Sequence, residues 1–133
     1  PGRRGAATQL DSNMGALLSK DVKSEVTALE SKATILTADK PGDMAGKEGK
    51  HVPKVELRQS VAKVTVPHGM AADHWIQYIW LKDQAGTIVG AAKLAHTDQP
   101  TLSVTLPSGT TSITAFESCN LHGVWASASI KAD

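Results

Sequence analysis

The sequence predicts an all-β protein of the sandwich class, and three observations lead there. From His51 onward, short β-prone runs alternate with Gly, Pro and Asp punctuation. Seven such runs can be counted, which is the number expected of a small two-sheet sandwich. In the second run Val64 and Val66 share one face while Lys63 and Thr65 take the other, the alternation of a half-buried strand.

Taken in order, residues 1–18 are rich in Gly, Ala and small polar side chains and read as mobile or loosely attached. Residues 20–32 carry Val22, Val26 and Leu29 at helical spacing, with Asp21 and Glu25 early, Lys32 late and Ser19 as N-cap. So short a helix must lean on the main domain or on a partner. A Thr-Ile-Leu-Thr run follows within residues 33–38, then a turn at Pro41-Gly42-Asp43. Gly46-Lys47-Glu48-Gly49-Lys50 reads as polar and flexible, dividing an N-terminal extension (1–45) from the β domain (46–133).

The strands are expected at 54–59, 62–66, 74–82, 87–95, 101–106, 110–117 and 124–130. The third is apolar on both faces: Ile76, Tyr78 and Trp80 oppose Trp75, Ile79 and Leu81. One face fills the core, and the other needs cover from the N-terminal arm, a loop or a second subunit. A homodimer contact is the preferred account, and with a single Phe in the chain the core gains from dimerisation.

At 133 residues and 14.0 kDa the chain suits one domain with a small appendage. Its 14 basic and 13 acidic residues are well mixed, which argues against a nucleic-acid groove. One cysteine excludes an internal disulfide. No apolar run approaches the roughly 20 residues of a membrane span. Arg3-Arg4 has the form of a twin-arginine signal, but Gly5 to Gln9 is weakly hydrophobic and Asp11 interrupts it, so the cytoplasm is favoured over the periplasm.

Chemistry concentrates in Cys119-Asn120-Leu121-His122-Gly123-Val124-Trp125, where a thiol and an imidazole three residues apart can grip one metal ion. His51 sits where the Gly-Lys segment meets the first strand. His68 and His74 bracket a loop that can turn both rings to one point. His96 ends a strand without such company and reads as solvent-facing or structural. Five donors exceed the four of a closed zinc site. Four imidazoles and a thiolate suit iron with a vacant position, while Cys119 with three histidines suits tetrahedral zinc; donor chemistry ranks the two almost equally.

Lys50-His51-Val52-Pro53, the 68–74 loop with His74-Trp75-Ile76, and the Cys119 to Trp125 stretch together resemble the superoxide reductase family, which includes neelaredoxin and the catalytic domain of desulfoferrodoxin. The resemblance runs from His51 to the end. It implies an immunoglobulin-like seven-stranded sandwich and one mononuclear non-haem iron, with His51, His68, His74 and His122 equatorial and Cys119 axial. It implies that His122 binds through the other ring nitrogen, and that superoxide is reduced by one electron to hydrogen peroxide. Lys50 matches the lysine that draws in the anion, and the amides of Leu121 and His122 are expected to donate to the sulfur. Asn120 is expected to cap the turn and not to touch substrate.

Two departures stand out. Glu48 lies one residue before the family's usual glutamate position, where this chain has Gly49, and Gly69 replaces the proline after the first loop histidine. The single cysteine leaves no four-cysteine iron domain in these residues, so a separate donor such as a rubredoxin-like protein is expected. The alternative is a non-catalytic metal-containing module that keeps the ligand set.

Overall fold

The computed structural model of the chain describes residues 20–132. The expectations for residues 1–18, the Arg3-Arg4 pair and the Ser19 cap lie outside them. Helix α1 (Lys20–Lys32) leads into a two-residue strand β1 (Ile35–Leu36), a 3-10 turn (Gly42–Met44) and a one-turn helix α2 (Glu48–His51). Strands β2 (Lys54–Arg58), β3 (Val61–Thr65), β4 (Ile76–Asp83), β5 (Ile88–Lys93), β6 (Thr101–Thr105), β7 (Ser112–Cys119), β8 (Gly123–Ala126) and β9 (Ile130–Lys131) follow.

The strands form two packed sheets, as the sequence predicts. One has the order β1-β8-β7-β4-β5, with β9 also on β7, and the other is β2-β3-β6. Between them lies a core of Ala62 and Val64 from β3, Leu102 and Val104 from β6, Ile79 and Leu81 from β4, and Ile113 and Ala115 from β7. Period-two alternation selects these residues. Ala62 is fully buried while its neighbour Val61 is 41% exposed. The sheets approach so closely at β5 that a Cβ on Gly90 would meet Val104 Cγ2 at 2.4 Å.

Four expectations are corrected. The 46–50 segment is not simply flexible: α2 forms there, with the Gly46 N–H donating to Glu48 Oε1 at 2.6 Å. The strand expected at 74–82 begins at Ile76. The run expected at 124–130 breaks at Ser127, whose N–H donates to the Ala115 carbonyl at 2.8 Å and whose Oγ accepts the Ala115 N–H at 2.9 Å. These bonds take Ser127 out of the regular ladder before β9 rejoins β7 at Ile113.

The fourth correction concerns the two-faced strand. Ile76 pairs with Cys119, yet Tyr78 pairs with Ser118, so β4 carries one extra residue at Gln77. This bulge turns Ile76 into the core with Ile79 and Leu81, leaving Tyr78 and Trp80 on the other face. The chain itself covers that face. Val22 and Val26 of α1 pack on Trp80, Ala91 and Val124. Glu30 accepts hydrogen bonds from Trp80 Nε1 at 2.7 Å and Lys82 Nζ at 2.6 Å, while Glu25 accepts from Tyr78 and pairs with Lys93. The cover expected from a homodimer contact is therefore intrachain. No helix among the described residues is long and apolar enough to cross a membrane.

Candidate metal centre

Three segments of the sandwich converge at one end. His51 closes α2, and its Nδ1–H donates to the Lys47 carbonyl at 2.9 Å. His68 follows β3, with Nδ1–H donating to the Gly69 carbonyl at 2.5 Å. A tight turn, closed by reciprocal 3.0 Å bonds between Ala71 and His74, brings the chain back so that His74 faces His68. Cys119 ends β7, and His122 stands in the turn to β8, which Gly123 completes with a left-handed φ of +83°.

Asn120 holds two of these segments together. Its Oδ1 accepts from the Trp75 N–H at 2.9 Å, its Nδ2 donates to the Asp73 carbonyl at 3.0 Å, and its own N–H donates to the Trp75 carbonyl at 3.2 Å. The residue read as a turn cap is thus a clamp on the chain either side of His74.

The four imidazoles form a closed ring. Successive centroids, in the order His51, His68, His74, His122, lie 4.8, 4.4, 4.8 and 5.0 Å apart, with planes crossed by 65° to 89°. Facing nitrogens are separated by 3.1 Å (His68 Nε2 to His74 Nε2), 3.2 Å (His74 Nε2 to His122 Nδ1) and 3.3 Å (His122 Nδ1 to His51 Nε2). Cys119 Sγ lies 3.9 Å from His68 Nε2, and one donor atom from each of the five residues falls within 4.8 Å of all the others. Three rings thus present Nε2 and His122 presents Nδ1.

This arrangement fits a metal ion on geometric grounds. With metal–nitrogen bonds of roughly 2.1 Å, adjacent corners of a coordination square lie about 3.0 Å apart. The observed spacings of 3.1 to 3.3 Å approach that value. Because Nδ1 of His51 and of His68 donates to a carbonyl, each Nε2 is left as a free lone pair. Burial holds His51, His68 and His122 below the ordinary imidazole pKa, keeping them neutral and competent to ligate. Burial raises the Cys119 thiol, while backbone N–H groups of Leu121 and His122 donate to its sulfur and oppose that rise.

The other two predicted residues sit apart from this cluster. Lys50 is exposed on α2, and its charge acts on His68. The Glu48 carboxylate is outside the five-donor group and is engaged by the Gly46 N–H. His96 is exposed, with its ring 6.2 Å from that of Trp75.

Residues 43–128, which hold all five donors, match the family model described as Desulfoferrodoxin. The chain belongs to the desulfoferrodoxin family. A desulfoferrodoxin from Nitratidesulfovibrio vulgaris is 34% identical over 89 residues, covering 65% of this chain and 68% of that one. Among solved structures, the superoxide reductase from Treponema pallidum is similar with a TM-score of 0.54 and 35% identity, over 62% of this chain and 68% of that one. The superoxide reductase (neelaredoxin) from Ignicoccus hospitalis gives a TM-score of 0.61 at 26% identity, over 74% and 95%. The desulfoferrodoxin match begins after β1, so α1 and β1 lie outside it.

Two residues at the site escape the sequence reading. Glu117 is fully buried two positions before Cys119, with both carboxyl oxygens unpartnered. Its signal was available, since alternation from Ile113 through Ala115 to Cys119 turns it inward. Trp125 stacks on His51, a contact that spacing alone does not reveal.

Proposed function

We propose that this chain is a superoxide reductase, reducing superoxide to hydrogen peroxide by one electron and two protons at a mononuclear iron. The observation that carries the reading is the convergence of four imidazole nitrogens and one sulfur within 4.8 Å, in a member of the desulfoferrodoxin family. His51, His68, His74, His122 and the buried Cys119 would hold the metal. Iron held there supplies the electron and a Lewis-acidic position for the anion.

The chain's own groups fit that task. Neutral imidazoles leave a ferrous site cationic enough to attract superoxide. The N–H groups of Leu121 and His122 stabilise the Cys119 thiolate that forms when metal displaces the thiol proton. Cys119 is 4% exposed whereas His68, His74 and His122 are half-buried, so substrate approaches from the side away from sulfur. Lys50, one residue from His51, draws in the anion and orders water for protonation. Glu48, one residue before the family's usual glutamate position and outside the five-donor group, would have to release the Gly46 N–H before it could serve as a further ligand. A separate one-electron donor of the rubredoxin type re-reduces the site, and the cytoplasm suits its lone thiol.

The test is to mix the reduced, iron-loaded protein with superoxide. Stoichiometric peroxide without oxygen release is expected, and failure to consume superoxide overturns the reading. Cys119→Ser should abolish the thiolate-to-ferric absorption; an unchanged visible spectrum would remove Cys119 from the metal. Tightly held four-coordinate zinc in the isolated protein would favour a non-catalytic metal module.

A further inference from the structure

Outside the five-donor group, Trp125 reaches two proposed ligands from different segments at once. Its indole lies 5.4 Å from the His51 ring, centroid to centroid, with planes only 23° apart. Its Nε1–H donates to the His122 carbonyl at 3.0 Å. His51 and His122 are themselves separated by 71 positions, and their ligating nitrogens face each other at 3.3 Å. In the tautomers that ligate a metal both nitrogens carry lone pairs, which repel until a cation lies between them, so a contact that holds both groups in place favours that state.

The indole is well built for this. Trp125 is fully buried, and its backbone lies between Glu117 of β7 and Leu36 of β1 in the sheet. Pairing opposite Glu117 turns it to the inner face, while Val124 faces α1. A flat ring with two side-chain torsions, fixed from both flanks, loses little further freedom when it holds another ring. We infer that Trp125 is a positioning residue, which presets the His51 imidazole and the His122 turn for metal binding. It acts through these ligands and does not touch substrate. The inference rests on the proposed five-donor site.

The test compares wild type with Trp125→Phe and Trp125→Leu, using cobalt(II) as a redox-inert probe in competition with a chromophoric chelator. Loss of a group that orients a ligand weakens metal binding by roughly 10–100-fold. Trp125→Leu, which removes stack and donor, is expected in that range. Trp125→Phe keeps a ring and should lose less. Both should broaden or shift the ferric charge-transfer band and move the midpoint potential, readouts that destabilisation of the fold alone leaves in place.

Folded variants with wild-type cobalt affinity and an unmoved band overturn the inference. Where Trp125→Leu does not fold, Trp125→Phe decides alone. Wild type that fails to bind cobalt or iron would instead overturn the five-donor reading, so the two failures are distinguishable.

Discussion

Asn120 accepts the Trp75 N–H on its side-chain oxygen at 2.9 Å, joining the chain beside His74 to the turn that carries Cys119. With its amide nitrogen on the Asp73 carbonyl, both ends of the side chain are used. Asn120→Ala removes both bonds and leaves their partners short of protein contacts, at about 1–3 kcal/mol in total. Chemical denaturation should show that loss, with weaker metal retention at the His74 side. Unchanged retention would mean that Asn120 closes the turn and does no more.

Lys50 lends itself to a salt experiment, because it is exposed and its charge acts on His68. Attraction of an anion to such a charge is screened over about 10 Å at 0.1 M salt. Lys50→Ala should slow the superoxide reaction several-fold at low ionic strength and converge with wild type as salt rises. Stopped-flow rates across a salt series check this. Equal rates at low salt would reduce Lys50 to a solvated loop charge.

Glu117 should make stability fall with pH. Burial raises its carboxyl from the ordinary 4.5 to about 9, so the folded chain holds that proton far more tightly than the unfolded chain. Below the ordinary value both states are protonated and nothing is lost. As pH climbs between the two values the unfolded state gains by ionising, and stability drops by up to about 1.4 kcal/mol per unit before levelling off. Glu117→Gln, compared with wild type in the same metal state by urea denaturation at pH 5, 7 and 9, should flatten that slope. Parallel slopes would show that the carboxyl ionises without such a penalty.

Glu30 bonds to both Trp80 and Lys82, linking α1 to the sheet. Glu30→Ala leaves the buried indole N–H unpartnered and should cost about 1–3 kcal/mol. Limited proteolysis should then cut within α1 sooner, and Trp80 emission should shift to the red. An unaltered cleavage rate would assign the docking of α1 to Val22, Val26 and Glu25 without Glu30.

The five clustered donors were legible because His68/His74 and Cys119/His122 are close in sequence, where short loops bring their ends to a common point, and because together with His51 they resemble the superoxide reductase pattern. Strand alternation likewise identified the core face of β3 and its continuation, where Val64 and Val66 are buried. It failed at Ile76 because one extra residue at Gln77 reverses the parity of everything before it, and nothing in Trp-Ile-Gln-Tyr announces a bulge. The cover of Tyr78 and Trp80 depends on Glu25 and Glu30, about fifty positions away, beyond the reach of any local pattern. Asn120 and Trp125 stand in the recognised motif, yet their roles exist only in partners brought near by folding.

The two-residue strand β1 has a consequence for the life of the chain at high concentration. Pairing in parallel with Val124 and Trp125, it occupies the backbone groups that β8 would otherwise present along an open edge. A fragment cut to the matched span, 43–128, would bare that edge beside two apolar residues. Such a surface can recruit strands from other molecules and seed aggregates, whereas a border only two residues long gives a foreign strand little to zip onto.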